Sequence, residues 1–274
     1  MVLRPLFLLG LCVFGALPAI SAAAAPAGEE RPVLYVIGDS TAAAYPPSRY
    51  PLFGWAQVLD HYFDTDRIAI DDRAISGRSS KSYYDEGHWE KIQDALKPGD
   101  FVFIQFGHND QKQQDPKRYT APFGTYTEHL RRYIDDTRAK DAQPILLTSI
   151  NRNGWESPTE LRDSLGDYPD AVRQLARAED VTLIDLHALT ARYFEKLGQA
   201  RSTRLFINLR PGLYPNYPEG KPDNTHLQEQ GAYAISALAV KAIRKQRLPL
   251  RAYLKESHRS WWSLGRLRQK GAFD

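Results

Sequence analysis

Five short apolar runs, separated by longer stretches of mixed polarity, limit the folds that are open to this chain of 274 residues. The runs lie at 33–37, 68–70, 101–106, 145–149 and 181–185. Short, nearly continuous runs of β-branched, aliphatic and aromatic residues are typical of strands in a parallel sheet that is covered on both faces. We therefore predict a buried parallel sheet.

Stretches with apolar residues at helical spacing alternate with these runs. They lie at 53–63, 123–140, 170–179, 186–197 and 228–246. Strands that alternate with helices are connected by right-handed crossovers, which gives an α/β class fold with three layers, α/β/α. In such folds ligands bind at the carboxyl ends of the strands, so the strand ends are where a functional site is expected.

The N-terminal stretch is predicted to be a secretory signal peptide. Arg4 precedes an apolar run at 6–14, and small residues follow at 19 and 21–23, which is the usual order of charge, apolar core and cleavage region. An uncleaved anchor is the alternative. We assign 1–24 to the signal peptide, 25–31 to a linker, 32–247 to one catalytic domain and 248–274 to a C-terminal tail of unknown role. The expected location is secreted or periplasmic, without membrane association after cleavage.

Composition excludes several classes of site. The only cysteine, Cys12, lies in the predicted signal peptide, so a mature chain has no disulfide, thiolate metal site or cysteine nucleophile. The net charge of +3, from 36 basic and 33 acidic residues, is too balanced to indicate nucleic-acid binding. About 250 mature residues suffice for one domain with its own core. We expect a monomer.

Polar and small residues at the predicted strand ends match the needs of acyl transfer. Ser40 follows the first run and is the candidate nucleophile, while His226 is the candidate base and Asp223, three residues earlier, its orienting partner. A single loop is expected to carry both. The backbone N–H of Ser40, the backbone N–H of Gly77 and the side-chain amide of Asn109 are candidate donors of an oxyanion hole.

Each of these residues also has a purely structural interpretation. Ser40 is expected to open a helix after the first strand, where it would be an ordinary N-cap. Gly77 fits a turn and Asn109 fits a loop that satisfies its own backbone. Asp39 and Asp110 are expected to hold turns through their side chains, and His108 to support the site without being the base.

The motifs resemble those of the SGNH, or GDSL-type, hydrolases. The sequences "GDS" at 38–40, Gly77, "GHND" at 107–110 and Asp223-x-x-His226 occur in the order of the four blocks of that family. The resemblance implies a flavodoxin-like sandwich with a five-stranded parallel sheet. It also implies the catalytic and oxyanion roles named above. No Gly-x-Ser-x-Gly elbow surrounds Ser40, which disfavours the α/β-hydrolase superfamily.

Within that family, "GDSTAA", "AISGRSSKSY", "FIQFGHND" and "PDNTHLQEQGA" are similar to the rhamnogalacturonan acetylesterase group. The resemblance implies a serine esterase that removes acetyl groups from an acetylated polysaccharide or oligosaccharide, typically pectin, without metal or cofactor. Arg78, Lys81 and Arg152 are candidate ligands for uronate carboxylates.

Three alternatives remain open on the sequence. An SGNH-type xylan acetylesterase would share the mechanism and differ in its substrate. A lipase or lysophospholipase would need an apolar acyl groove, which the polar segments at 78–82 and 111–118 disfavour. A non-catalytic carbohydrate-binding protein would not need the complete set of Ser40, Asp223 and His226.

Overall fold

The computed structural model describes residues 31–256, which contain ten strands and seven α-helices. The strands are β1 (Val33–Gly38), β2 (Leu52–Phe53), β3 (Ala69–Asp72), β4 (Phe101–Gln105), β5 (Gln143–Leu147), β6 (Trp155–Ser157), β7 (Glu160–Leu161), β8 (Thr182–Ile184), β9 (Phe206–Leu209) and β10 (Lys221–Gln228). The helices are α1 (Ser80–Asp85), α2 (Glu90–Ala95), α3 (Thr127–Arg138), α4 (Tyr168–Ala178), α5 (Leu186–Leu197), α6 (Gln199–Ser202) and α7 (Glu229–Gln246).

Short helical turns of other types join these elements. Four are 3-10 helices, Pro47–Arg49, Ala56–His61, Thr203–Leu205 and Pro249–Tyr253, and Pro122–Tyr126 is a π-helical turn that leads into α3. No helix within residues 31–256 is both long and apolar enough to span a membrane.

The central sheet has five parallel strands in the order β3-β1-β4-β5-β8. Each of the five apolar runs of the sequence supplies one of these strands. The predicted five-stranded parallel α/β architecture is therefore confirmed. Two small antiparallel sheets, β2-β10-β9 and β6-β7, were not predicted.

The sequences of the central strands are nearly continuously apolar because alternate residues are buried in two different cores, one on each face of the sheet. Leu34 and Val36 of β1 pack with α7 residues such as Ile235. Tyr35 and Ile37 of the same strand point to the other face and pack with α3 residues such as Tyr133. The alternation follows from the two-residue side-chain period of a strand, and both cores close over the sheet.

Two of the predicted helices need correction. No helix begins at Ser40: residues 40–42 form one turn, closed by backbone hydrogen bonds from Ala42 and Ala43 to Asp39. The helix predicted at 53–63 is a short 3-10 helix, Ala56–His61.

The structure describes only part of the predicted segments at the two ends of the chain. The predicted signal peptide and nearly all of the linker lie outside the described residues, and so do residues 257–274 of the predicted tail. Residues 248–256 of that tail are described. Their side chains include Leu250 and Leu254, which lie in the same core as α7.

Candidate active site

Ser40, His226 and Asp223 form a continuous hydrogen-bonded chain of side chains. His226 Nε2 lies 2.9 Å from Ser40 Oγ, and His226 Nδ1 lies 2.8 Å from Asp223 Oδ2. These are the distances of a nucleophile, a base and an orienting carboxylate. Ser40 and His226 are 186 positions apart in sequence, so the fold brings them together.

His226 and Asp223 lie on strand β10, which corrects the prediction of a loop. The pairing of β10 with β9 shifts register between Pro222 and Leu227. Such an irregularity bends a strand locally and re-aims its side chains. Asp223 Oδ1 also accepts from the backbone N–H groups of Thr225 and His226, at 2.9 and 3.0 Å. The Asp223 carboxylate therefore both stabilises the irregular part of β10 and orients the His226 imidazole.

Asp223 is held in its charged form. Burial alone raises its pKa, but the hydrogen bond and charge of His226, together with the two backbone N–H groups, lower that pKa well below the ordinary value. Lys221 Nζ lies 3.2 Å from Asp223 Oδ2 and adds a cation on the same side. A carboxylate that stays ionised can stabilise an imidazolium on His226.

The turn that carries Ser40 is braced from below by Asp39. The Asp39 carboxylate is fully buried and accepts from the backbone N–H and hydroxyl of Thr41, at 2.9 and 2.8 Å. Its second oxygen lies 3.3 Å from His108 Nδ1. Burial raises the pKa of Asp39, but His108 and Thr41 outweigh burial and lower it. The expected turn-holding role of Asp39 and supporting place of His108 agree with these contacts.

Gly77 lies in a tight turn beside the nucleophile. The Arg78 N–H donates to Ile75 O at 3.3 Å, and Gly77 has φ +83°. A positive φ at this position is the geometry of a type II turn, which favours glycine. A Cβ at Gly77 would meet no atom within 4 Å. Glycine is therefore favoured at position 77 by the backbone conformation, and not by a lack of space for a side chain.

Hydrogen bonds on both sides hold the Gly77 turn between the other two candidate oxyanion donors. Ile75 N–H donates to Gly38 O at 3.0 Å, next to the Ser40 turn, and Asn109 Nδ2 donates to Arg78 O at 3.0 Å. Within the described residues, neither the Ser40 N–H nor the Gly77 N–H donates to an acceptor of the chain. These N–H groups are available to a ligand at the ends of β1, β3 and β4.

Asp110 anchors the turn that carries Asn109. Its Oδ1 accepts from the backbone N–H and hydroxyl of Ser80 and from Thr120 Oγ1, whereas its buried Oδ2 has no partner in the described part of the chain. Burial raises the pKa of this carboxyl to about 7, despite those hydrogen bonds. Asp110 therefore joins three segments without the imidazole partner that Asp39 and Asp223 each have.

The three candidate substrate-binding cations are placed differently. Arg78 pairs with Glu86 at 2.8 Å, and Lys81 donates to Pro116 O at 2.9 Å. Arg152 is half-buried and donates to the backbone and hydroxyl oxygens of Ser164. Burial lowers its pKa and the charges of Asp39 and Asp223 raise it. Of the three, Arg152 is the one whose charge interacts with Asp223, the carboxylate that orients His226.

Two further residues at the site were not singled out from the sequence. Tyr45 donates its hydroxyl proton to Ser40 O at 2.7 Å and so braces the nucleophile turn. Lys112 Nζ donates to Asn109 Oδ1 at 2.8 Å. The position of Lys112 three residues after Asn109 is the one sequence signal that could have pointed to this contact.

The site offers no obvious place for a metal ion. Between residues 31 and 256, no three His, Cys, Asp or Glu side chains are grouped as metal ligands. The chemical groups assembled here are instead a hydroxyl, an imidazole, a carboxylate and several N–H donors. That set is suited to nucleophilic acyl transfer.

Comparisons with known proteins place this arrangement in a family. The model of the GDSL-like lipase/acylhydrolase family matches residues 36–234. Rhamnogalacturonan acetylesterase RhgT of Bacillus subtilis is 38% identical over 221 residues, which are 81% of this chain and 93% of the relative. The rhamnogalacturonan acetylesterase of Emericella nidulans is 29% identical, over 77% of this chain and 84% of the relative.

A solved structure shows the same fold. The crystal structure of the Bacillus subtilis protein YxiM superposes with a TM-score of 0.67 at 27% sequence identity. The match covers 80% of this chain and 58% of that chain.

Proposed function

Because this chain belongs to the GDSL-like lipase/acylhydrolase family and is a carboxylic ester hydrolase, we propose that it removes O-acetyl groups from rhamnogalacturonan, the acetylated backbone of pectin. The observation that carries the proposal is the Ser40–His226–Asp223 chain of hydrogen bonds beside three N–H donors. The names of two relatives, both rhamnogalacturonan acetylesterases, support the substrate.

The proposed reaction begins with attack by Ser40 Oγ on the acetyl carbonyl carbon. His226 Nε2, 2.9 Å away, takes the hydroxyl proton as the carbon–oxygen bond forms. The imidazolium then gives that proton to the sugar oxygen as its bond to the acetyl carbon breaks. A water molecule repeats the sequence on the acetyl-enzyme, releases acetate and returns the proton to Ser40.

The negative charge of each tetrahedral intermediate is assigned to an oxyanion hole made by Ser40 N–H, Gly77 N–H and the Asn109 amide. Each preorganised donor of this kind lowers the barrier by about 3 kcal/mol. Asp223 supports the reaction by staying ionised, because an imidazolium next to a carboxylate is stabilised in a site of low dielectric constant.

The preference for a uronate-containing substrate is supported by the charge around the site. Arg118 and Arg152 each interact electrostatically with Lys112, which contacts Asn109. The one carboxylate that pairs with them by an ion pair in the described residues is Asp115, on Arg118. Guanidinium groups bind carboxylates well, so this surplus of cations suits the galacturonate of pectin better than a neutral xylan.

Export is part of the proposal. Residues 1–24 have the order of charge, apolar run and small residues of a signal peptide, and pectin lies outside the cell. The exported protein should therefore start near residue 25, which mass spectrometry of its N-terminus can read.

A panel of substrates tests the proposed specificity. Acetate release is measured on acetylated rhamnogalacturonan, acetylated homogalacturonan, acetylated xylan and a long-chain acyl ester, at equal acetyl or acyl concentration. We expect the highest kcat/KM on rhamnogalacturonan. A higher value on xylan would overturn the uronate preference, and a higher value on the long-chain ester would assign the chain to lipases.

A further inference from the structure

The turn after β4, residues 107–112, contains a cation that contacts a candidate catalytic amide. Lys112 Nζ donates to Asn109 Oδ1 at 2.8 Å, and Lys112 N–H donates to Asn109 O at 3.2 Å. Lys112 is therefore bound to Asn109 through both its main chain and its side chain. The turn itself is closed by Gln111 N–H, which donates to Gly107 O at 3.3 Å.

The Asn109 amide has one orientation that satisfies its neighbours. Its Oδ1 faces the Lys112 ammonium, which can only donate, and its Nδ2 faces Arg78 O, which can only accept. Exchanging the amide oxygen and nitrogen would place donor against donor and acceptor against acceptor. Asn109 is also 96% buried, with 4% of its surface exposed, so few other contacts compete.

This orientation leaves one proton free for substrate. An amide nitrogen has two N–H groups, and the Arg78 carbonyl uses one of them. The second belongs to the same side chain that the proposed mechanism places in the oxyanion hole. A cation on the amide oxygen draws electron density from the nitrogen and strengthens its N–H groups as donors, since hydrogen bonds in a chain polarise one another.

Lys112 occupies an electrostatically unfavourable position. Burial lowers the pKa of its ammonium, and the guanidinium groups of Arg118 and Arg152 lower it further. Two carboxylates oppose this effect, but Asp115 is paired with Arg118 and Asp39 is held by Thr41 and His108. No carboxylate among residues 31–256 forms an ion pair with Lys112 itself. A cation in this position stabilises negative charge that arises next to it.

We propose that Lys112 is a positioning residue of the oxyanion hole, which orients and polarises the Asn109 amide for the acyl oxygen. This inference rests on the proposed function, because it assumes that Asn109 binds the oxyanion. Lys112 acts through Asn109 and does not touch the substrate's reacting atoms. Its contribution therefore belongs to the tetrahedral intermediate more than to substrate binding.

The first test separates kcat from KM on a neutral ester, 4-nitrophenyl acetate, with spontaneous hydrolysis subtracted. Lys112→Met keeps the length of the side chain and removes its donor and its charge. We expect kcat to fall about 10- to 100-fold, less than the loss of a whole oxyanion donor, with KM changed less than about twofold. Lys112→Arg keeps a charged donor, and we expect it to recover most of the lost activity.

Lys117→Met is the matched control. Lys117 is an exposed cation in the same segment, and within residues 31–256 its side chain forms no hydrogen bond with Asn109, so its loss removes a charge of the same sign without changing that amide. We expect its kcat to match the wild type. If Lys112 only bound a uronate carboxylate, Lys112→Met would be fully active on the neutral ester, and that result would overturn the proposal.

A double-mutant cycle tests whether Lys112 acts through Asn109. Asn109→Ala should lower kcat by about 100-fold or more, and adding Lys112→Met to it should change kcat little, because coupled residues are not additive. If Asn109→Ala is impaired and Lys112→Met is fully active, the inference fails and the oxyanion hole stands. If Asn109→Ala is also fully active, the oxyanion assignment itself fails.

Two readouts distinguish positioning from a general loss of structure. Methylboronic acid, which forms a tetrahedral anion on a serine, should bind Lys112→Met as weakly as the fall in kcat implies, whereas the product acetate should bind equally to both proteins. The alkaline limb of kcat should move to higher pH in Lys112→Arg, since a guanidinium keeps its proton. Equal boronate affinity, or an unchanged alkaline limb, would contradict the proposal.

Discussion

Three carboxylates lie within this site, two of them buried (Asp39 and Asp110) and one partly buried (Asp223), and their partners decide which of them ionise. Burial raises the pKa of Asp39, Asp110 and Asp223 alike. Asp39 and Asp223 each face an imidazole, which more than offsets the burial and lowers the pKa. Asp110 has only hydroxyl and amide donors, so its pKa remains raised, to about 7. The chain thus places charged and neutral carboxyls side by side.

The raised pKa of Asp110 makes the stability of the protein depend on pH. In the unfolded chain this carboxyl ionises near pH 4, whereas in the folded protein it keeps its proton up to about pH 7. Its contribution to stability is therefore complete below pH 4 and is lost as the pH rises to 7. The loss is on the order of 4 kcal/mol for a shift of about three pKa units.

Asp110→Asn, which resembles the protonated acid, should remove this dependence. The free energy of unfolding, measured with urea from pH 4 to pH 8, should fall more steeply in the wild type than in the variant. Asp94→Asn is the control, because Asp94 is exposed on α2 and should leave the wild-type slope unchanged. Parallel pH curves for Asp110→Asn and the wild type would show that Asp110 is ionised in the folded state.

Among the elements that pattern analysis did not find, β10 is the one that carries His226 and Asp223. Its sequence, KPDNTHLQ, is polar and contains a proline, so it lacks the apolar alternation that predicts a strand. It forms a strand because β2 and β9 lie on either side of it. The adjacent helix α7 was predicted within one residue, since its apolar residues repeat at helical spacing over eighteen positions.

The segment after α7, residues 248–256, packs against the rest of the described chain. Leu254 pairs with Phe63 in an isolated bridge, and the backbone N–H of Asp64 donates to Tyr253 O. Leu250 is fully buried. The burial of these leucines was not predicted from the sequence, because the many basic residues around them are typical of a solvated tail.

Shortening the chain tests how much residues 248–256 contribute to the stability of the protein. A protein that ends after Arg247 loses both leucines, and we expect it to be less stable by about 4 kcal/mol than one that ends after Glu256. For a domain of this size that corresponds to a fall in Tm of about 10 °C. Thermal unfolding of the two shortened proteins gives the answer, and Tm values within about 2 °C of each other would contradict it.

At the scale of the whole molecule, the central sheet could be predicted and the small sheets could not. Five apolar runs identify strands because burial on both faces leaves few polar positions. The placement of Ser40 near His226 was predicted from motifs. The Lys112–Asn109 contact was not, because the orientation of an amide depends on neighbours such as Arg78 O that only the fold supplies.

The electrostatic contacts of the site also depend on the whole fold, because they join residues that are far apart in sequence. Asp39 and His108 lie 69 positions apart, and Ser80 and Asp110 lie 30 apart. The turns after β1, β3 and β4 are therefore held together by side chains from one another. A rigid arrangement of this kind positions donors before the reaction begins, which is how preorganised sites stabilise charge.

We propose that Ser40 is the nucleophile of an acetylesterase. The deciding measurement is acetate release from acetylated rhamnogalacturonan by Ser40→Ala, compared with the wild type at equal concentration of folded protein. We predict a loss of at least about a thousandfold, with an unchanged circular dichroism spectrum. A folded Ser40→Ala protein that releases acetate at the wild-type rate would show that Ser40 is not the nucleophile.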